Sequence, residues 1–317
     1  MHRLGLVLLL FVVATARAAD HVVVIVWDGL RPDLVNEEDT PTLAKLAKEG
    51  VFFANHHAVF LSSTVVNGTA ISTGCYPAHN HTLANSEYRP NLSATDPVST
   101  ASPEVARTIA VPTLAEMLQK AGKRTAVVGA KSVALVHDHQ PRAADSENIN
   151  VIEGTKGLPD AAFHRLKGSM NVCPGGSREK DNWCTRALTG PLWDKELPAY
   201  SLLWLSEPDQ TQHEYGPGSA AAREARHNSD NNLAHVLDEL AANGHRNDTD
   251  ILIVSDHGFS TIARTVDLPG VLQKAGFKAG RAFSKTPAEG EVLVVNKDRK
   301  STRLNSSHSS VSRMPSS

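Results

Sequence analysis

Three apolar runs in this chain, residues 22–27, 200–205 and 251–255, are each followed within a few positions by a carboxylate: Asp28, Asp209 and Asp256. Runs of Val, Ile and Leu with so little polar interruption suit strands buried on both faces, as in a parallel sheet covered by helices. In an open α/β sheet the ligand crevice lies outside the carboxyl ends of the strands. Three strands that end in aspartate therefore point at one place. If the segment after Pro208 turns helically, Asp209 and His213 share a face, and His257 directly follows Asp256. A single Asp-x-x-x-His is most often a capping aspartate beside a surface histidine. Here the other two strand ends supply residues of the same kind, so the group reads as one site.

The pattern elsewhere fills in the fold. Thr40 as N-cap and Pro41 in the first turn open a helix that runs to about Lys48 and stops at Gly50. Residues 51–60 read as a mixed extended stretch, and residues 62–74 as a loop feeding a short helix ended by Gly74. Thr64 then lies near a helix N-terminus, where unpaired N–H groups favour an anion. Residues 79–110 read as a polar surface excursion, 111–121 as a capped amphipathic helix and 124–129 as another buried strand. Periodicity is poor over about 131–195, which reads as an insertion or cap over the sheet. Within it, His137-Asp138-His139 reads as a solvated loop, because neighbours in an extended chain face opposite ways. A long helical pattern over 219–243, ended by Gly244, precedes the strand of Asp256; a short helix over 268–275 and a strand over 291–295 follow. Strand and helix alternate almost throughout. The expected fold is a three-layer α/β/α sandwich with a mostly parallel sheet.

Composition narrows the function. The formal charge is -2 and aromatics make up 5%, with no basic run, so nothing marks a nucleic-acid partner. The start of the chain has a charged head, an apolar middle over 4–13 and Ala16-Arg17-Ala18, the pattern of a secretory signal cleaved after Ala18. The apolar run is too short to span a bilayer, and no later one is long enough. The expected product is secreted or periplasmic. Export permits a disulfide, and of the three cysteines Cys173 and Cys184 flank a polar, glycine-rich loop that a bridge would close; three unpaired thiols is the alternative.

The candidates together suggest a chemistry. Asp28, Asp209 and Asp256 with His213 and His257 offer the mixed oxygen and nitrogen ligands that suit zinc. Two such ions, typically about 3.5–4 Å apart, clamp the attacking and leaving oxygens of an in-line displacement at phosphorus. Thr64 is placed to be the nucleophile, and Asn67, one turn on, to donate its amide to a phosphate oxygen. Taken singly, Thr64 is as well explained as an N-cap and Asn67 as a polar helix residue.

Order and spacing add a resemblance. Val26-Trp27-Asp28-Gly29, Thr64-Val65-Val66-Asn67 with Thr73-Gly74-Cys75-Tyr76-Pro77, Glu207-Pro208-Asp209 with His213 and Gly216-Pro217, and Ser255-Asp256-His257-Gly258 resemble the type I phosphodiesterase/nucleotide pyrophosphatase family of the alkaline phosphatase superfamily. The resemblance covers about residues 22–259. It implies hydrolysis of a small phosphodiester or nucleotide through a phospho-threonine on Thr64, with two zinc ions. One ion would fall to Asp28, Thr64, Asp256 and His257, the other to Asp209, His213 and a further histidine downstream. The family's usual Phe-Pro after the nucleophile is Val65-Val66 here, which bears on the substrate pocket and not on the chemistry. A phosphomonoesterase of the same superfamily and a non-catalytic binding protein on the same fold are the alternatives. Cys75-Tyr76-Pro77-Ala78-His79 approaches the sulfatase signature but has His79 in place of its arginine.

The end of the chain reads differently. Asp298 to His308 matches one reading frame of a common sequencing-library adapter, and residues 298–317 lack apolar periodicity. The expected organisation is a signal over 1–18, a catalytic domain over 19–297 that natively continues, and a foreign tail over 298–317. The third histidine of the second zinc site would then lie beyond the sequence.

Overall fold

The computed structural model describes residues 19–262 and 266–294. The expected leader over 1–18 and the tail over 298–317 lie outside them. In chain order the elements are β1 (His21–Trp27), α1 (Pro41–Glu49), α2 (Thr64–Thr73), α3 (Pro77–Asn80), β2 (Ser86–Glu87), β3 (Val98–Ser99), α4 (Pro103–Ala106), α5 (Leu114–Lys120) and β4 (Thr125–Gly129). There follow β5 (Ile149–Ile152), β6 (Lys156–Leu158), α6 (Asp160–Gly168), α7 (Ser177–Thr189), β7 (Tyr200–Leu205), α8 (Asp209–Tyr215), α9 (Ala220–Ala242), β8 (Thr249–Val254), α10 (Leu268–Lys274), β9 (Lys278–Gly280) and β10 (Glu291–Leu293).

A six-stranded sheet in the order β6-β5-β4-β7-β1-β8 forms the centre. All its neighbours are parallel except β5 and β6. The alternation of side chains along each strand sends two sets of residues to opposite faces. Val23, Ile25, Trp27, Leu203 and Leu205 pack with Leu43 of α1, Trp183 and Leu188 of α7, and Leu233 and Leu240 of α9. Val24, Val26, Leu202 and Trp204 pack on the other side with Val65 of α2, Ala115 of α5 and the turn over Ser132–His137. Both faces of the sheet are covered over β1, β4 and β7, while β8 at the edge is only partly buried and Leu252 is exposed. Each fully buried Val or Leu contributes about 1.5–3 kcal/mol relative to exposure.

Local signals hold with specific exceptions. Gly74 ends α2 in the left-handed conformation at φ 66. The helix expected from residue 111 starts at Leu114 because Thr113 closes a capping box, its Oγ1 accepting from Glu116 N at 3.2 Å while Glu116 Oε2 accepts from Thr113 N at 3.0 Å. Thr40 precedes α1 but its hydroxyl turns back to Asn36; the orphan N–H groups of Thr42 and Leu43 go to the carboxylate of Asp230, on α9, at 2.9 Å each. Residues 51–60 form no strand. The strand expected over 291–295 is seen as Glu291–Leu293, paired with β9 in a separate two-stranded sheet; Val295 lies outside the described residues.

Two expectations are corrected. Residues 131–195, expected as an insertion or cap over the sheet, supply β5 and β6 to the sheet itself and α6 and α7 to the core of one face. Their strands are short and their helices mostly polar, so the periodicity is weak even where the packing is not. His137-Asp138-His139, expected as a solvated loop, is buried throughout. Asp138 accepts from Arg142 and, at 3.0 Å, from Gln119, while His137 lies against Trp204 with ring centroids 5.4 Å apart. Burial pushes His137 down to about 3, so it is neutral. Cys75, Cys173 and Cys184 are free thiols, and the Cys173–Cys184 bridge is not formed.

Candidate active site

The sheet register brings the three strand ends level. Trp27 lies opposite Leu205 and Val26 opposite Val254, so the residues just beyond, Asp28, Asp209 and Asp256, meet outside the carboxyl edge. All three are buried. Gly29 makes the approach of β1 to α8 close: its φ is +70, and a Cβ there would stand 3.0 Å from Cβ of Asp209. Its N–H donates to Asp256 Oδ1 at 3.1 Å, and the N–H of Asp209 donates to the carbonyl of Asp28 at 3.0 Å. Trp204 Nε1 donates to Asp28 Oδ2 at 2.9 Å. Backbone and indole donors thus hold the carboxylates of Asp256 and Asp28.

The imidazoles complete the group. His213 sits one helical turn after Asp209, with Nε2 3.4 Å from its Oδ1 and the ring edge-on to Phe259. His257 Nε2 stands 3.4 Å from Asp28 and 3.2 Å from Asp256. Its Nδ1 is 2.9 Å from the carbonyl of Gly258, which only accepts, so Nδ1 bears the hydrogen and Nε2 the lone pair. Thr64, half-buried at the first position of α2, places Oγ1 3.1 Å from that Nε2 and donates to it. Asp28, Asp209 and His257 each offer an atom within 4.8 Å of the others, the geometry of a metal-binding group.

Sequence reasoning missed the cation in the middle. Lys131, two residues past β4, sets Nζ 2.8 Å from Asp28 Oδ2 and 2.6 Å from Asp209 Oδ2. The rule that found the aspartates, residues just beyond the carboxyl ends of strands, applies equally to β4 and would have found it. Also missed was Asn85, whose Oδ1 accepts from the N–H of Val65 at 2.8 Å and so caps the start of α2 beside Thr64. Asn67, by contrast, is buried with Oδ1 accepting from Val59 N at 2.8 Å and Nδ2 donating to Ser63 O at 3.3 Å. Asp181 of α7 is a third: its carboxylate accepts from the N–H groups of Ser206 and Glu207 at 2.7 and 3.0 Å and fixes the turn that leads to Asp209.

Charge is unbalanced at this spot. Burial first, then the Asp256 charge, pushes Asp28 up to about 7, and burial followed by its acidic neighbour Asp209 does the same to Asp256. Burial opposes ionisation of Asp209 most, but the Lys131 ammonium, the hydrogen bond from His213 and the neighbouring imidazoles together outweigh it and hold Asp209 well below the usual carboxylate range. Burial keeps His257 below its ordinary value and hence neutral. Asp28 Oδ1, Asp209 Oδ1 and Asp256 Oδ2 are buried without a hydrogen bond among the described residues. Three carboxylates, one ammonium and a neutral imidazole lone pair call for further positive charge, which is what divalent cations supply.

Buried carboxylates and imidazoles meet at the carboxyl edge of a parallel sheet, with a hydroxyl at an adjoining helix start, and three of these groups could hold a metal ion on an α/β fold. The chain belongs to the type I phosphodiesterase / nucleotide pyrophosphatase family, whose model matches residues 22–314. Among curated relatives it is 23% identical over 282 residues to bis(5'-adenosyl)-triphosphatase ENPP4 of Bos taurus, covering 88% of this chain and 56% of that protein. It is 24% identical over 235 residues to ectonucleotide pyrophosphatase/phosphodiesterase family member 1 of Rattus norvegicus, covering 73% of this chain and 22% of that one. Phosphonoacetate hydrolase from Sinorhizobium meliloti, solved with phosphonoacetate, shares the fold at a TM-score of 0.62 and 21% identity, over 81% of this chain and 62% of that one. Murine ectonucleotide pyrophosphatase/phosphodiesterase 5, solved with AMP, does so at 0.55 and 18%, over 78% and 59%. The chain thus spans less than two thirds of the length of these relatives. The fold is the mostly parallel, alkaline-phosphatase-like sandwich. No helix among the described residues is long and apolar enough to cross a membrane.

Proposed function

We propose that this protein hydrolyses phosphodiester or pyrophosphate bonds of a small substrate, a nucleotide being the leading candidate, with two zinc ions and with Thr64 as nucleophile. The observation that supports it most is the contact of the Thr64 hydroxyl with His257 Nε2, 3.1 Å, inside a ring of three buried carboxylates. Asp28, Thr64, Asp256 and His257 would hold one ion; Asp209 and His213 would hold the other, and a catalytic zinc normally has three protein ligands, so a further ligand is expected from outside the described residues. Bound zinc supplies positive charge that lowers the pKa of a coordinated hydroxyl and neutralises the phosphoryl oxygens.

The protein's own residues do the rest. The helix start of α2 holds Oγ1 of Thr64 at the mouth of the carboxylate ring, where it forms a bond to phosphorus as the bond to the leaving oxygen breaks. The Thr64 proton passes to solvent and the leaving oxygen takes one from water. Water then cleaves the threonyl phosphate and restores the hydroxyl. An amide donor beside Thr64 stabilises charge on the phosphoryl oxygens. Asn67 has the family position, but its oxygen and one amide hydrogen hold Val59 and Ser63. Asn85 is the better donor, because its Oδ1 is fixed on Val65 N and among the described residues its Nδ2 makes no hydrogen bond. Lys131 shares its ammonium between the very carboxylates that separate ions would take, so it gives up those contacts when ions bind. The signal pattern over 1–18 supports export to a secreted or periplasmic location.

An ester panel tests the reading. The native full-length enzyme should turn over an aryl phosphodiester faster than an aryl phosphomonoester, phosphonoacetate or an aryl sulfate, lose activity to a chelator and regain it with zinc. Preference for the monoester would establish the phosphomonoesterase alternative, and turnover untouched by chelation would remove the metal from the account.

A further inference from the structure

The end of β1 away from Asp28 holds a second convergence of metal-ligating side chains. His21, His245 and Asp248 each offer one atom within 4.8 Å of the other two. His21 opens the strand and Asp28 follows its end, seven positions on and roughly 23 Å away at about 3.3 Å per residue, so this group is distinct from the active site.

Three elements fix it. Gly244, at φ 78, ends α9, with its N–H on the carbonyl of Ala241 at 3.1 Å and the N–H of His245 on that of Leu240 at 2.8 Å. That pattern is a Schellman cap, and it sets the direction in which His245 leaves the helix. The carbonyl of Asp248 accepts from the N–H groups of Asp20 and His21 at 2.9 and 3.1 Å, which ties the start of β1 to the turn before β8. His21 Nδ1 lies 3.0 Å from the carbonyl of Pro198, so Nδ1 bears the hydrogen and Nε2 keeps the lone pair. A carbonyl fixing one imidazole nitrogen so that the other faces an ion is the usual support of a metal-binding histidine.

The His245 and Asp248 side chains contact each other, with Nδ1 3.1 Å from Oδ2, and the His21 and His245 rings meet edge-on with centroids 5.0 Å apart. A plain His245–Asp248 ion pair would account for two of the three. It gives no reason for a second imidazole, oriented by a carbonyl, at the same spot. The C-terminal end of α9 adds the negative end of a helix dipole, which favours a cation. All three side chains are partly exposed, so an ion enters from solvent.

We propose that His21, His245 and Asp248 form a second, peripheral site for one divalent ion of the zinc class, with solvent as the remaining ligand, that clips the start of β1 to the α9–β8 turn. Two imidazoles and a carboxylate suit zinc better than magnesium or calcium, which prefer all-oxygen sites. The proposal does not depend on the hydrolytic reading, since none of these residues belongs to that site.

Zinc alone is the probe. In titrations of the full-length enzyme, wild type is expected to bind one equivalent more than His245→Ala and than Asp248→Asn, with phosphodiester turnover the same in all three. Zinc-edge anomalous diffraction of wild-type crystals in excess zinc should show a peak among the three side chains, and this holds even if a variant fails to fold. No peak there, or equal zinc equivalents in wild type and in variants that fold, overturns the proposal.

Discussion

At Thr64 a single hydroxyl separates two kinds of protein. Its Oγ1 faces His257 Nε2 at 3.1 Å while its backbone already sits in the first turn of α2, so removing the oxygen should not cost the helix. Thr64→Ala should abolish diester hydrolysis and leave the melting temperature within a few degrees of wild type; Thr64→Ser should keep partial activity. Wild-type turnover by the alanine variant would refute the nucleophile. Lys131 makes a different kind of claim. Its ammonium must release Asp28 and Asp209 before ions take them, and one charge-assisted hydrogen bond is worth about 1.5–3 kcal/mol. Lys131→Met should therefore bind zinc about tenfold more tightly or better in chelator competition, while the ion-free protein loses several kcal/mol because two buried carboxylates are left unpaired. Weaker zinc binding in the variant would show that Lys131 supports the ions and does not compete with them. The two asparagines separate in the same way: Asn85→Ala should slow the chemical step by about two orders of magnitude, whereas Asn67→Ala should chiefly destabilise the fold. The reverse outcome in rate and denaturation assays would return the donor role to Asn67.

Elements show why some of this was legible in sequence and some was not. The unbroken apolar runs of β1 and β7 announce buried parallel strands, that of β8 forms a parallel edge strand only partly buried, and a carboxylate at the end of each announces the site, because strand direction alone decides which edge the residues reach. The span of α2 is equally plain, from the hydroxyls at its start and Gly74 at its end. Lys131 and Asn85 were missed for another reason. Lys131 stands just past β4, where the strand-end rule reaches it only once cations count as well as carboxylates, whereas Asn85 stands in no motif and acquires its role only when the segment after α3 is brought beside the start of α2. The same holds for β5 and β6, too short for any period to show, and for His137-Asp138-His139, whose polarity hides the burial that Arg142 and Gln119 make tolerable. Asp181 of α7 is the clearest long-range case. It alone receives the N–H groups of Ser206 and Glu207 in the turn before Asp209. Asp181→Ala should cost about 1–3 kcal/mol for each buried donor left without an acceptor and loosen zinc at Asp209 and His213. Unchanged denaturant stability and zinc affinity would show that the turn holds itself.

For the molecule as a whole, the site couples stability to pH and metal. Burial, with repulsion from Asp256 on Asp28 and from Asp209 on Asp256, raises both from 3.8 to about 7. The folded protein then keeps protons that the unfolded chain gives up near 3.8, so the stability from these groups is full below that value and is lost as pH rises toward 7. Asp209, lowered, acts only below 3.8 and Lys131, raised, only above 10.5; within the window Asp181, raised to about 8, adds to the effect and His257, lowered, opposes it below 6.5. Zinc needs the ionised carboxylates, and the rise in melting temperature on adding zinc should be larger at about pH 8 than at about pH 5. A zinc effect independent of pH would place the ions elsewhere.

The central claim is that phosphorus is transferred to Thr64 and then to water. Its most direct test is the stereochemical course at phosphorus, read from a chiral phosphorothioate diester hydrolysed in isotopically labelled water by the native full-length enzyme. Two successive in-line displacements, first by Thr64 and then by water, predict net retention of configuration. Net inversion would mean that water attacks the diester directly, and Thr64 would then be no nucleophile.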